Sequence, residues 1–229
     1  MNNYLERYKE LAELFAKNGF NLYLVGGTVR DFLLRKELTD MDAVTDATPD
    51  EIKPFLEAYK PDFTFAKFGS VKLKINDVKF DITTLRKERG YFDSRHPGKI
   101  EFVKSLDIDV IRRDFTVNAM YLDKTFRIID FVGGEKDLND GVLRMVGNPE
   151  KRLKEDPLRI IRAIRFCLTH NLIMDEALKK AILNDISLLD KLNKDKIIQD
   201  IRKIECNDKE RIEKIFNEFG IIHYLNMVN

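Results

Sequence analysis

Residues 21–34 read NLYLVGGTVRDFLL, and residues 38–49 read LTDMDAVTDATP. The short apolar run Asn21–Val25 predicts a buried strand. Gly26 and Gly27 permit a tight turn out of it, into a helix that starts near Thr28. Leu38–Thr45 alternates and predicts a second strand. In a strand, residues i and i+2 share a face, so Asp40 and Asp42 point the same way, about 7 Å apart at the backbone. Met41 and Ala43 face the core. Thr48-Pro49-Asp50-Glu51 then opens a helix, with proline at its first position and acids in its first turn.

Working outward, Leu5, Tyr8, Leu11, Ala12 and Phe15 keep helical spacing up to a stop near Gly19. Val71–Ile75 and Val78–Thr83 predict a hairpin around Asn76-Asp77. Ile100–Val103 and Phe126–Phe131 predict two more strands. From Glu150 the pattern is helical, over 150–169, 175–184, 193–206 and 208–219. Nine of the eleven glycines precede residue 147. The change of texture places a domain border at Gly147-Asn148-Pro149, with an α/β unit over 1–146 and a helical one over 147–229.

Composition narrows the function classes. The chain has 229 residues, 44% of them hydrophobic and 34% charged, which suits a globular protein of one or two domains. Lys and Arg number 40 against 39 Asp and Glu, a net charge of +1. A global basic field is absent, so any polyanion site must come from local segregation of charge. Cys167 and Cys206 are too few for a disulfide framework and are expected as reduced thiols. The N-terminus lacks the continuous apolar core of a secretion signal, and no run approaches about 18 apolar residues. The expected location is the cytoplasm, with no membrane partner.

Five constellations carry chemistry, and each by itself also has a plain structural reading. Gly26-Gly27 before a helix start lets backbone N–H groups approach a phosphate, and Arg30 adds a charged fork; alone, this is an ordinary turn. Asp40 and Asp42 repel one another on one face and invite a cation, for which hard oxygen donors beside phosphates suit Mg²⁺; alone, they are a solvated strand end. Asp81 lies opposite the apolar face Val78, Phe80 and Ile82, as a third carboxylate or as an exposed acid beside Lys79. In IRRDFTVNA, Arg112 and Arg113 precede a predicted helix with Asp114 as its N-cap. These arginines suit phosphates, and Asp114 or Asn118 suits sugar hydroxyls, or all of them are capping and surface charge.

The fifth constellation is EDPLRIIRAIRF, residues 155–166. Ile160, Ile161, Ile164 and Leu168 form one arc of a helix, and Asp156, Arg159, Arg162 and Arg165 fan over the other half. Residues 151–165 carry six basic and two acidic side chains. This is either a solvated basic face or a device in which Asp156 and Arg159, an acceptor beside a rigid donor fork, hydrogen-bond a base edge.

In this order the blocks resemble one family, the class II tRNA nucleotidyltransferases (CCA-adding enzymes) with the bacterial poly(A) polymerases. LVGGTVRDFLL and TDMDAVTDATP resemble its signature, RRDFTVNAM its second motif, and IIDFVGGEKDLNDGVLRMVGNPEKRLKEDPLRIIRAIRF its link and nucleotide-template motif. The resemblance runs from about residue 21 to 168. It implies an α+β fold, a polymerase-β-like nucleotidyltransferase head with a mixed sheet, followed by an α-helical neck and a shortened C-terminal body and tail. It implies that Asp40 and Asp42 bind catalytic Mg²⁺, with Asp81 a further carboxylate. Gly26, Gly27 and Arg30 would hold the triphosphate, and Arg112, Arg113 and Asp114 would contact phosphate and ribose. Asp156 and Arg159 would pair with the incoming base, and Arg162 and Arg165 would complete the pocket.

The implied activity is template-independent addition of CCA, or of its terminal A, to tRNA 3′ ends from CTP and ATP. The alternatives are a poly(A) polymerase and a non-catalytic RNA-binding module. TLRKERGYFDSRHP, residues 84–97, resembles the flexible loop of family members that add the terminal A. Arg35 stands where the family usually has Gly after Leu33-Leu34. The body and tail helices that usually grip tRNA are expected to be absent or reduced to 208–229, leaving a homodimer or a partner to supply that surface.

Overall fold

The computed structural model describes residues 3–91 and 97–228. Their elements run α1 (Asn3–Lys17), β1 (Leu22–Val25), α2 (Gly27–Leu33), β2 (Asp40–Thr45), α3 (Pro49–Leu56), β3 (Ser70–Ile75), β4 (Val78–Thr84), β5 (Arg86–Tyr91), β6 (Pro97–Phe102), α4 (Leu106–Asp109), β7 (Tyr121–Leu122) and β8 (Ile128–Ile129). They continue with α5 (Gly134–Asn139), β9 (Val142–Leu143), α6 (Pro149–Glu155), α7 (Leu158–His170), β10 (Ile173–Met174), α8 (Glu176–Asp185), α9 (Lys194–Ile201), α10 (Lys209–Glu218) and α11 (Ile222–Asn226).

Two compact units result. The first comprises Met1–Arg89, Lys99–Arg113 and Val117–Glu135; the second comprises Gly90–Gly98, Asp114–Thr116 and Lys136–Asn229. The expected border at 146/147 falls inside the second unit. The reason is local: β9 pairs in parallel with β10, and the Arg144 guanidinium joins Asp137 to Asp175, so residues 136–146 are tied to residues 173–175.

The first unit is built on a six-stranded mixed sheet in the order β3-β4-β2-β1-β7-β8. Only β2 and β4 run parallel; the other neighbours are antiparallel. Alternation along the strands settles the faces. Met41, Ala43, Val71, Leu73, Val78, Phe80 and Ile82 are buried on one face. Asp40, Asp42, Lys72, Lys74, Lys79 and Asp81 occupy the other. The register sets Asp40 beside Lys79 and Asp42 beside Asp81. The hairpin turns at Asn76, whose φ of 52° is one that Asn tolerates well.

Local chemistry fixes the flanking elements. Thr48 and Glu51 form a reciprocal capping box at the start of α3, worth about 1 kcal/mol. Arg35, just past α2, has φ 55°, a conformation that costs a non-glycine residue about 1 kcal/mol. The strand expected over Phe126–Phe131 shrinks to Ile128–Ile129. Phe126 sits at φ 64° in a turn held by the Asp123 carboxylate, and the Asp130 carboxylate accepts the N–H groups of Val132, Gly133 and Glu135.

The second unit is mainly helical. The helix expected over 150–169 is two helices, α6 and α7. Pro157 has no N–H to give, and it drives Asp156 out of the helical region to φ −147°, ψ 95°. Of the 84–97 loop, residues 92–96 lie outside the described residues; the flanks pair as the ribbon β5–β6. Among the described residues no helix is long and apolar enough to cross a membrane.

Candidate active site

In the first unit the turn after β1 comes closest to the acidic strand. Gly26 adopts φ 67°, ψ −135°, a region that L-residues avoid. A Cβ at Gly26 would lie 3.6 Å from Asp42 Oδ2, so bare backbone stands against that carboxylate. Thr28 then clamps the strand: its hydroxyl donates to the Asp40 carbonyl at 3.2 Å and accepts from the Asp42 N–H at 2.9 Å.

Arg30 is not presented as a fork to solvent. It is 7% exposed and lies beneath Gly27. Its Nε and Nη2 donate to the Asp31 carboxylate at 3.0 Å, and its Nη1 donates to Asn118 Oδ1 at 2.7 Å. Arg30, expected to hold the triphosphate, is thus mostly buried and braces the glycine turn. A one-turn offset from the turn reads the same in sequence whether the guanidinium faces in or out.

Asp40, Asp42 and Asp81 lie on one face. Asp42 is open to solvent but walled by the cleft. This enclosure, with the charges of Asp81 and Asp40, outweighs Arg113 and Arg30 and pushes its carboxyl up to about 6. Asp81 Oδ1 accepts from the Ser70 hydroxyl at 2.8 Å. Among the described residues no three Asp, Glu, His or Cys side chains are gathered as metal ligands. Asp81, expected as a further carboxylate, shares the face of Asp40 and Asp42 and keeps one oxygen on the Ser70 hydroxyl.

The arginines of the second motif are organised by a residue outside the predicted set. Asp109 is fully buried. Its oxygens accept from Arg112 Nε at 2.8 Å, Arg113 Nη2 at 2.8 Å, the Tyr121 hydroxyl at 3.0 Å and the Arg86 N–H at 3.1 Å. Burial opposes ionisation of Asp109, but the two guanidiniums and the Arg86 N–H overcome it and hold the carboxyl down to about 2. Arg112, Arg113 and Arg86 line a cavity of about 360 Å³ together with Gly26, Asp42 and Asp81. Guanidinium groups, two carboxylates and glycine backbone thus border one space.

In the second unit Asp114 is not a helix N-cap. Its Oδ1 accepts the Phe115 N–H at 2.8 Å, and its Oδ2 accepts from Arg162 Nε at 2.9 Å and from Nη2 of the same guanidinium. A single 3₁₀ turn, Thr116–Asn118, follows in place of the expected helix. Nor is α7 a solvated basic face. Arg159 is 5% exposed, donates to the Arg152 carbonyl at 2.7 Å and lies 3.6 Å from Glu155. Arg165 pairs with the buried Asp200 at 3.4 Å. Arg162 and Arg165 also sit 5.5 and 4.7 Å from the centre of the Phe166 ring. Asp156 Oδ1 accepts the Leu158 N–H at 3.1 Å at the start of α7.

Sequence reading missed the parts played by Thr28, Asp109 and Asp200. Only Asp109 had a local signal, standing three and four residues before Arg112 and Arg113, a spacing at which ion pairs form on a helix.

Residues 22–144 match the model of the poly A polymerase head domain family. The chain is 36% identical over 199 residues to the CCA-adding enzyme of Staphylococcus epidermidis, covering 87% of this chain and 49% of that protein. It is similar to the crystal structure of the Bacillus stearothermophilus CCA-adding enzyme in complex with CTP, with a TM-score of 0.87 and 29% identity over 98% of this chain and 54% of that one. The Thermotoga maritima CCA-adding enzyme complexed with tRNA gives a TM-score of 0.79 and 26% identity over 96% of this chain and 52% of the other. The chain spans about half the length of the relatives it matches.

Proposed function

Because the chain belongs to the poly A polymerase head domain family, with a polymerase-β-like nucleotidyltransferase head, we propose that it transfers nucleotides from CTP and ATP to the 3′ end of tRNA, adding CCA or its terminal A. The observation that carries this reading is the cavity in which Asp42 and Asp81 share the lining with Arg86, Arg112 and Arg113 beside Gly26. Nucleotidyl transfer needs these groups: acids at the reacting end and cations for the phosphates. The RNA 3′-hydroxyl oxygen bonds to the α-phosphorus as its proton passes to solvent, the bond from that phosphorus to the β-phosphate bridging oxygen breaks, and pyrophosphate leaves with the electron pair.

Asp40 and Asp42 would hold Mg²⁺. The fit rests on their hard oxygen donors and on Asp42, whose carboxyl is raised by enclosure and then by the charges of Asp81 and Asp40, a setting that a cation relieves. When bound, a pair of Mg²⁺ ions supplies charge stabilisation at the attacking and leaving oxygens. Thr28 fixes the backbone that carries both acids. Gly26 and Gly27 admit a phosphate close to the main chain, and Arg30 holds that turn from beneath. Arg112 and Arg113 offer positive charge to the triphosphate from their anchor on Asp109.

In the second unit, Asp114 serves the ribose, Asp156 and Arg159 recognise the base, and Arg162 and Arg165 complete that set. Work on tRNA goes with the expected cytoplasmic location.

Primer extension with Mg²⁺ tests the reading. tRNAs ending before CCA, after C and after CC are each offered CTP, ATP or both. CCA followed by a stop, or one A on the CC-ended tRNA alone, is the expected result. Long A tails would make the protein a poly(A) polymerase, and the absence of any extension by folded protein would leave an RNA-binding role.

A further inference from the structure

One face of the sheet carries two like-charged pairs. Asp42 stands directly across from Asp81, and Lys74 directly across from Lys79. Like charges directly opposed on one face weaken a sheet. The proposed reaction accounts for the acid pair through its cation. Nothing in that reaction accounts for the lysine pair.

Across the strands Lys79 also stands opposite Asp40, and Lys72 opposite Asp81. Among the described residues Lys60, Lys72 and Lys79 make no ion pair, and Lys74 reaches only the fully exposed Asp77, 3.9 Å away. Yet Lys60, Lys72, Lys74 and Lys79 line the same cavity, of about 420 Å³, as Asp40, Asp42, Asp62 and Asp81. Lysines that only guarded an edge strand against aggregation would have no need to share a face with the acids. The ammonium of Lys72 also lies 5.9 Å from the centre of the exposed Phe65 ring. Positive charge beside an open aromatic face is what single-stranded nucleic acid requires, phosphates for the one and bases for the other.

Building on the proposed nucleotidyl transfer, we infer that this flank is the track of the acceptor RNA. The unpaired 3′ end lies along β3 and β4, with its phosphates on Lys60, Lys72, Lys74 and Lys79, a base against Phe65, and its terminal hydroxyl at Asp40 and Asp42. Lys72 and Lys74, two residues apart on one strand, stand about 7 Å apart, a spacing that follows successive phosphates of an extended strand. The acids at β2 and the lysines at the β3 edge give the face a polarity that orients the RNA end towards the carboxylates.

The test uses the full chain and a fluorescent tRNA that ends before CCA, with anisotropy read from 50 to 200 mM salt. The Lys72→Gln/Lys74→Gln/Lys79→Gln variant should bind this tRNA at least about 10-fold more weakly. Its salt slope should be shallower by about 2, roughly 0.7 for each lost phosphate contact. Its Mg²⁺-dependent affinity for CTP should stay within about 2-fold, and its Tm should hold, since the repulsion between Lys74 and Lys79 goes together with the attraction of Lys79 to Asp40 and of Lys72 to Asp81. Phe65→Ala should weaken RNA binding about 10-fold with no change of slope. Lys209→Gln/Lys214→Gln, on exposed positions of α10, is the control for nonspecific charge loss. Unchanged RNA affinity and slope in the triple variant, with CTP binding intact, would overturn the track and leave the nucleotidyl transfer standing. Failure of the unsubstituted protein to bind either tRNA or CTP would instead overturn the proposed function, and the track with it.

Discussion

The helix α7 of the second unit and the open sheet face of the first treat charge in opposite ways. In the second, each arginine of α7 meets an acid: Arg159 lies near Glu155, Arg162 is forked onto Asp114, and Arg165 is paired with Asp200. In the first, Asp42 faces Asp81 and Lys74 faces Lys79 on an open sheet surface. Compensated charge holds its shape before a ligand arrives. Opposed like charge is tolerated only where something else completes it. The contrast supports the proposed site more sharply than any count of acids or arginines.

The comparison breaks most severely at Asp42. Asp42→Asn should cost about 10²–10³-fold in primer extension, the scale of removing one group from a preorganised electrostatic site, with circular dichroism unchanged. A variant that kept full activity would remove Asp42 from the reaction.

The compensated side of the first unit should break by stability instead. Asp109→Ala leaves Arg112 and Arg113 without their buried acceptor and should destabilise by about 3–5 kcal/mol in urea unfolding. The same anchor gives an acid limb. The Asp109 carboxyl is held at about 2, below its ordinary 3.8. Its contribution is therefore complete above pH 4 and is lost as pH falls towards 2. The wild type should lose about 2 kcal/mol across that window relative to Asp109→Asn.

The smallest effect has the opposite sign. The Asp42 carboxyl is raised, so its charge disfavours the fold as pH rises from about 4 through about 6. In the absence of Mg²⁺, Asp42→Asn should be more stable than wild type at pH 7.5 by about 1 kcal/mol, a figure reduced for the solvent that reaches the group. Thermal unfolding should show the gap closing near pH 4 and narrowing when Mg²⁺ is added. A variant less stable than wild type at pH 7.5 would contradict the charge excess at the centre of the comparison.

The sequence was informative where one element carries its own signal. Alternation over 38–45 set Asp40 and Asp42 on one face, Asn76-Asp77 marked a turn, and Thr48-Pro49 marked a helix start. It was uninformative where a partner lies far along the chain. The periodicity of α7 separates an apolar arc from an arginine half, but cannot tell water from Asp114 and Asp200 as the cover of that half. Strands of two residues, such as β7 and β9, have no periodicity to read. Asp114 looked like a helix cap because a cap and an ion-pair acceptor begin with the same residue. For the candidate site, the side chains could be named from motifs; their anchors, Thr28 and Asp109, are fixed by tertiary contacts that no spacing announces.

The hydroxyl of Tyr8 donates to the Leu22 carbonyl at 3.0 Å and to the Leu122 carbonyl at 2.8 Å, across sequence separations of 14 and 114 residues. During synthesis the first partner is made almost at once. The second emerges after roughly another hundred residues, on the order of 5–20 s at ribosomal speeds of about 5–20 residues per second. For that interval β1 has one edge without β7, and the nascent head cannot close its sheet. Slowing or stalling translation between residues 45 and 121 would hold the chain in its most vulnerable state, with an open strand edge exposed to other nascent chains.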